Sequence, residues 1–107
     1  MELSQSKLMV LHAACTTHTG DAFQSWVSMA KHSVATGLNR IIDRAIQVHG
    51  ALGYSTDTPL AHMFLQARWA RFADGADEVH QMRIAQRSIK AWTDTGSTSR
   101  ATGDLPI

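Results

Sequence analysis

The sequence is poor in the residues that tie a chain to several large classes of function. It has one cysteine, Cys15, so no internal disulfide can form, and a lone thiol fits a reducing compartment. It has no cysteine pair and no His-Glu-x-x-His, and its six histidines are scattered, so no metal site is read from it. No apolar run approaches the roughly 18 residues of a membrane span, which excludes the membrane as a partner. The N-terminus lacks a basic-then-apolar signal region, and the chain reads as cytoplasmic. Excess charge is also missing. Ten basic residues against nine acidic ones are interleaved for a net +1, which argues against nucleic acid as a partner, because phosphate recognition needs clustered positive charge. Strand-type alternation and internal repeats are absent.

What the 107 residues do contain is helical periodicity in an amount that fits one domain. A first helix is expected over about Leu3–Thr17, with Leu8, Leu11 and Cys15 as its stripe and Val10 and Ala14 widening it. Gly20-Asp21 breaks the period, and Asp21 is a candidate cap for the next helix. A long second helix, about Ala22–His49, carries Phe23, Trp26, Val27 and Ala30, then Val34, Leu38, Ile42, Ala45 and His49. Gly37 interrupts it at a cost of roughly 1 kcal/mol against alanine, which suggests close approach of another helix. A third helix is expected over Pro59–Phe72, with Thr58 as its cap and Leu60, Met63, Phe64 and Ala67 on one face. A fourth runs from near Asp77 to about Trp92 with Val79, Met82, Ala85, Ile89 and Trp92 as its stripe. The expected fold is all-α, an antiparallel four-helix bundle-like domain over 3–92, and the polar stretch 93–107 reads as a disordered tail.

Two segments between helices invite a chemical reading. His49–His62 (HGALGYSTDTPLAH) concentrates turn residues, and Gly50 stands where a helix C-terminal glycine belongs. Because the loop follows a helix, it fails the strand-turn-helix context of a dinucleotide fingerprint. It is either a plain connector or a place where glycine lets backbone N–H groups approach a ligand. The stretch Asp74–Glu78 (DGADE) holds three carboxylates, Asp74, Asp77 and Glu78. Asp74 or Asp77 can cap the following helix, and acids suit the positive end of its dipole; a carboxylate between two apolar helices can instead act as a general base. Arg68 and Arg71 share a helical face beside Trp69 and Phe72, and are read as solvated or paired with acids.

Taken together, Arg44–Ile89 resembles the C-terminal end of the acyl-CoA dehydrogenase family. There a long helix ends in Gln-x-x-Gly-Gly-x-Gly, an acidic-x-Pro stretch leads into a helix with Asp-Ala-Arg, and a short acid-Gly loop precedes a last helix with Ile-Ala-Arg. The matching residues are Gln47, Gly50, Gly53, Asp57, Pro59, Ala67, Arg68, Asp74, Gly75, Ile84 and Ala85. The wording ADGADEVH is similar to the branch in which the acid is Asp, within Ala-Asp-Gly-Pro-Asp-Glu-Val-His.

The resemblance implies an FAD-dependent oxidoreductase of fatty acid metabolism, acting on acyl-CoA. Asp74 falls on the position of the base that takes the α-proton of the thioester. Gln47 with the turn Gly50, Ala51 and Gly53 falls where the family contacts the adenine dinucleotide part of FAD held by a neighbouring subunit. Glu78 falls on a flavin-contacting polar position, where an acid needs a hydrogen-bond donor. Ala51 in place of a second glycine, His62 in place of Arg or Lys, and Gln66 in place of Asp each argue against intact cofactor binding at that point.

The family's N-terminal helical domain, its middle β-domain and the first helix of the C-terminal domain have no counterpart here. The resemblance therefore implies a fragment, a split subunit that joins a chain carrying the other domains, or a degenerate paralogue. Dehydrogenation by the isolated chain is not expected, and a non-catalytic helical assembly module is the alternative. A homodimer or higher homo-oligomer is expected, because stripes led by Leu8 and Leu11, by Trp26 and Leu38, and by Met82 and Ile89 would lack one partner.

Overall fold

The computed structural model describes residues 1–103. It is all-α, as the periodicity requires, with no strand among the described residues. The elements are α1 (Glu2–Cys15), α2 (Asp21–His49), α3 (Ala51–Tyr54), α4 (Leu60–Ala70), α5 (Asp77–Thr95) and α6 (Ser99–Thr102). At 1.5 Å per residue the 29 residues of α2 span about 43 Å, and every other helix packs on this rod. Cross-links fix the directions. Glu2 forks to Arg40 Nε and Arg44 Nη1, each at 3.0 Å, so α1 runs antiparallel to α2. Asn39 Nδ2 donates to Ala67 O at 2.6 Å, and Lys31 Nζ donates to Arg71 O at 3.3 Å, so α4 is antiparallel as well. His32 then faces Asp77, and α5 continues along α2 in the direction that α4 began.

The four long helices therefore occupy three tracks, with α4 and α5 end to end along one of them. Among the described residues α1, α4 and α5 make no packing contact with one another. The radius of gyration is 16.8 Å, against about 13 Å for a compact domain of this length, and the extents are 54 × 27 × 20 Å.

The interior is built from small residues: Ala13 of α1, Ala22, Ser25, Ser28, Ala30, Ala35 and Gly37 of α2, Ala67 of α4 and Ala91 of α5, with Ile42 as the one large apolar member. The stripes of α2 and α4 reach this interior through Ala30, Ile42 and Ala67, but those of α1 and α5 point largely elsewhere. On α1 the side facing α2 carries Glu2, Ser6, Met9 and Ala13, while Leu8, 65% exposed, and Leu11 face out. On α5 the inner side carries Asp77, His80, Ile84 and Ala91, while Met82, Ile89 (66% exposed) and Trp92 face out. The periodicity located these helices but not the direction in which their apolar sides look.

The connections obey local chemistry with small shifts from expectation. Gly20, not Asp21, is the N-cap residue of α2, and Pro59, not Thr58, that of α4; no side chain caps either helix. Gly50 adopts φ +60°, ψ −140°, a conformation that an L side chain rarely takes, and α3 follows at once. Thr58 Oγ1 donates to Leu52 O at 3.3 Å, which folds the loop back on α3. At the other end, part of the stretch read as a disordered tail is helical. The helix α5 runs on to Thr95, Gly96 closes it at φ +68°, and α6 buries Ala101 against α2. Trp26 Nε1 donates to Thr102 O, and the Trp26 ring meets His12 edge-on at 4.2 Å. A stretch poor in large apolar residues is thus held by one small buried side chain and one indole hydrogen bond. Residues 104–107 of that stretch lie outside the described residues.

Two glycines make opposite predictions. A Cβ on Gly53 would stand 2.8 Å from Ile46 O and 2.9 Å from His49 Cβ, so Gly53→Ala is expected to destabilise by about 1–3 kcal/mol. A Cβ on Gly37 would meet only Ser6 Oγ, at 3.8 Å, so the close approach read from that glycine is not tight. Gly37→Ala is therefore expected to stabilise by about 0.5–1 kcal/mol, the ordinary gain for a helix interior. Thermal melts of the two variants check both signs.

Candidate functional site

Around the loop between α4 and α5 lie the two buried titratable side chains among the described residues, Asp77 and His80. At the end of α4, Phe72 and Ala73 N–H share Trp69 O, at 3.0 and 3.1 Å, which tightens the last turn before the chain leaves the helix. Asp74 then takes φ +54°, the one positive φ at a non-glycine residue among those described, and Gly75 follows at φ +111°. Such a conformation costs an L residue roughly 1–2 kcal/mol, less for Asp than for most because its short side chain bonds locally. Space also favours glycine there, since a Cβ would stand 3.1 Å from His80 Nε2 and the ring would have to give by a few tenths of an ångström. The result is that the Asp74 side chain is exposed at the apex of a sharply turned loop.

Neither acid caps α5. Ala76 is its N-cap residue, with no side-chain hydrogen bond. Asp77, 4% exposed, turns its carboxylate sideways instead. Arg71 Nε donates to its Oδ2 at 2.6 Å, and His32 Nδ1 lies 3.4 Å from its Oδ1. Burial alone would raise the Asp77 pKa; the hydrogen bonds and charges of Arg71 and His32 outweigh it and hold the carboxyl below its ordinary 3.8. His80, one turn on and 5% exposed, has no hydrogen-bond partner for either ring nitrogen among the described residues. Burial, reinforced by the nearby Lys31 charge, pushes its pKa below 6.5, so the ring stays neutral. Lys31 Nζ reaches in from α2 to Gly75 O at 2.6 Å. Glu78 is exposed on the first turn of α5 with no ion-pair partner among the described residues.

The second group of expected site residues sits elsewhere. Gln47, Gly50 and Ala51 are exposed at the far end of α2, and the Gln47 amide makes no hydrogen bond among the described residues. Gly53 is buried against the last turn of α2, so its missing side chain is already accounted for by helix packing. His49 is exposed and its Nδ1 lies 2.8 Å from Ala45 O of its own helix. Gln47 lies 16 residues from Lys31 along α2, about 24 Å at the helical rise, so the structure does not bring Asp74 and Glu78 together with Gln47 and its glycine turn. Two surface grooves among the described residues, one lined by Leu3, Val10, Leu11 and Val34 and one by Asp21, Arg87, Lys90 and Asp94, include none of these residues. No group of three or more potential metal ligands occurs among the described residues, and no described helix is long and apolar enough to cross a membrane.

An acid-Gly loop that breaks one helical track, and an exposed Gln-x-x-Gly end on the central helix, are the features that comparison with known proteins can decide. The family model of the acyl-CoA dehydrogenase C-terminal domain matches residues 1–89. The chain belongs to the acyl-CoA dehydrogenase family. It is 43% identical over 95 residues to acyl-CoA dehydrogenase family member 10 of Mus musculus, a match covering 84% of this chain and 9% of that protein. It is 41% identical over 90 residues to a probable acyl-CoA dehydrogenase, FadE2, of Mycobacterium tuberculosis, covering 82% and 22%. It is 33% identical over 89 residues to a 3-(aryl)acrylate reductase of Clostridium sporogenes, covering 83% and 24%. The chain thus spans a quarter or less of the length of these relatives.

Within this acyl-CoA dehydrogenase domain, sequence reading singled out Asp74 but missed what surrounds it. Lys31 and His32 stand more than 40 residues before the loop they hold, and no local pattern marks them. Arg71 and Asp77 were separately visible as charged residues, but their pairing across the loop depends on the two helices sharing one track.

Acid should expose this cluster in two stages. A neutral, buried His80 contributes stability that is complete above pH 6.5 and is lost as pH falls below it, because the unfolded chain takes up the proton first. The depressed Asp77 carboxyl contributes stability that is complete above 3.8 and is lost as pH falls through its lower folded value. Melting temperatures measured from pH 7 downward should fall first below 6.5 and again below 3.8. Asp77→Asn should lack the second stage and lose about 1.5–3 kcal/mol at neutral pH, the worth of a hydrogen bond to a charged group.

Proposed function

We propose that this chain supplies the C-terminal helical part of an FAD-dependent acyl-CoA dehydrogenase, with Asp74 as the base that removes the α-proton of an acyl-CoA thioester. The observation that carries the reading is Asp74 itself: an exposed carboxylate at φ +54° on the acid-Gly loop, in a sequence that belongs to this family. A carboxylate suits the step because it accepts a proton and then keeps it in a site that water has left. On this chain the Asp74 side chain is open to solvent, so a further protein surface has to cover it before it can act.

The far end of α2 offers a complementary fit. The Gln47 carboxamide is free, and a Cβ on Gly50 would meet nothing within 4 Å, so an amide and accessible backbone stand together on an open rim. That arrangement suits one side of a dinucleotide held mainly by another surface, with Gln47, Gly50 and Ala51 touching it and Gly53 shaping the turn. FAD, when bound, would accept the hydride from the β-carbon. Glu78, exposed one turn beyond Asp74, would meet a polar group of the flavin that Asp74 serves, not of the one at the Gln47 end of the same chain. The reading takes a reducing, cytoplasmic setting, with which the exposed, free Cys15 is compatible.

The second reading, a non-catalytic assembly module, draws on the outward apolar sides of α1 and α5. Each large side chain left in water forgoes roughly 1.5–3 kcal/mol of burial, and a small domain holds only about 5–15 kcal/mol in all. Both readings therefore include association through these faces, with a second copy in closed symmetry as the simplest form.

Three measurements follow. The 107-residue chain, given acyl-CoA and FAD, should not reduce an artificial electron acceptor; reduction would show that Asp74 needs no further cover. In an enzyme assembled with the remaining domains of the family, Asp74→Asn should lower turnover by about 100-fold or more while the flavin absorbance stays. Retained turnover would move the base elsewhere. Light scattering should give a mass that is a multiple of 11.7 kDa, and a concentration-independent single-chain mass would sink the association.

A further inference from the structure

We propose that Lys31, in the middle of α2, is the positioning residue for Asp74, an inference that rests on the reading of Asp74 as the base. The loop from Arg71 to Asp77 is held at three points. Its two ends are joined by the Arg71–Asp77 ion pair at 2.6 Å. Its inner side rests on the His80 ring, which a Cβ on Gly75 would crowd at 3.1 Å. Its centre is tied to α2 by Lys31 Nζ through Gly75 O at 2.6 Å; Lys31 also reaches Arg71 O at one end, at 3.3 Å, and His32 of the same helix meets Asp77 at the other, at 3.4 Å.

The chemistry of that tie suits positioning. No carboxylate lies within ion-pair distance of Lys31 among the described residues, so its charge is directed at the two carbonyls. A charge-assisted hydrogen bond of this kind is stronger and shorter than a neutral one. Arg71 O belongs to the C-terminal end of α4, where a cation also meets the negative end of the helix dipole. Gly75 O belongs to the Gly75–Ala76 peptide, one peptide beyond Asp74, so the ammonium pins the residue on which the Asp74 turn closes and through it limits where the carboxylate points. Two consecutive positive φ values do not hold themselves, and the ion pair at the ends closes the loop without choosing the orientation of its apex. Lys31 makes that choice from a rigid helix, and it touches neither the carboxylate nor any group the carboxylate would act on.

The test uses Lys31→Met, which keeps the stem and removes the donor. In the 107-residue chain, backbone order parameters at residues 73–76 should drop from the rigid value of about 0.85 to below about 0.6, while those of α2 stay rigid. In the flavin-loaded enzyme assembled with the remaining domains, kcat should fall by about tenfold or more with KM unchanged, since misplacement of a reacting group affects the chemical step. Lys31→Arg should recover part of both. Should Lys31→Met fail to fold, Lys31→Gln takes its place, because its amide can donate to only one carbonyl at a time. Unchanged order parameters, or unchanged kcat in a background where Asp74→Asn is inactive, would overturn the proposal. If Asp74→Asn keeps its turnover, the base assignment falls, and the order parameters still decide whether Lys31 holds the loop.

Discussion

Close approach of helices over small side chains is the constraint on which this structure depends. Along α2, Ser25, Ser28, Ala30, Ala35 and Gly37 are buried, and α1, α4 and α5 meet them with Ala13, Ala67 and Ala91. Small residues let backbones come near, but each removes little apolar area from water. The interior is therefore well placed to set geometry and poorly placed to supply stability. The large side chains that would supply it, such as Leu8, Ile89 and Trp92, sit on the outer sides of the same helices. Internal geometry and external cohesion are divided between opposite faces of α1 and α5.

The break between α4 and α5 follows from the same spine. Two helices running in one direction along one track need an interruption that neither reverses the chain nor leaves the track. Asp74 and Gly75 provide it with positive φ at consecutive positions. The buried groups around it act as a frame. Arg71 and Asp77 bind the loop across its mouth, His32 adds a second contact to the same carboxylate, and a neutral His80 fills the space below. Under the proposed function a carboxylate that works on a substrate has to stay exposed, as Asp74 is, while its neighbour three residues on, Asp77, is buried and paired.

How much of this was legible in the sequence varied with the range of the interaction involved. The four long helices, their approximate ends, the Gly50 stop and the acid-Gly motif all depend on residues within a few positions of one another, and all could be read; the short α3, inside a stretch read as a loop, could not. The facing of the helices could not. A stripe such as Met82, Ile89 and Trp92 shows that a helix has an apolar side, but the same pattern serves a core or an external partner. Asp77 was weighed as a cap because local chemistry allows it; the structure gives it Arg71 and His32, and the latter stands 45 residues away. Helix α6 escaped notice because its hold is one alanine and one carbonyl, which leave no periodic trace.

The separation of Gln47 from Asp74 along α2 has a genetic consequence. A rod that carries two functional stations about 24 Å apart delivers them to different places, so under the proposed function each flavin would be served by the Asp74 of one chain and the Gln47 end of another. Consider two alleles, each inactive alone, one altered at Asp74 and the other at Gln47. In a mixed pair both lesions fall on the same site, and the remaining site is assembled from two unaltered stations. Two defective copies of the gene would then restore activity together that neither supplies by itself.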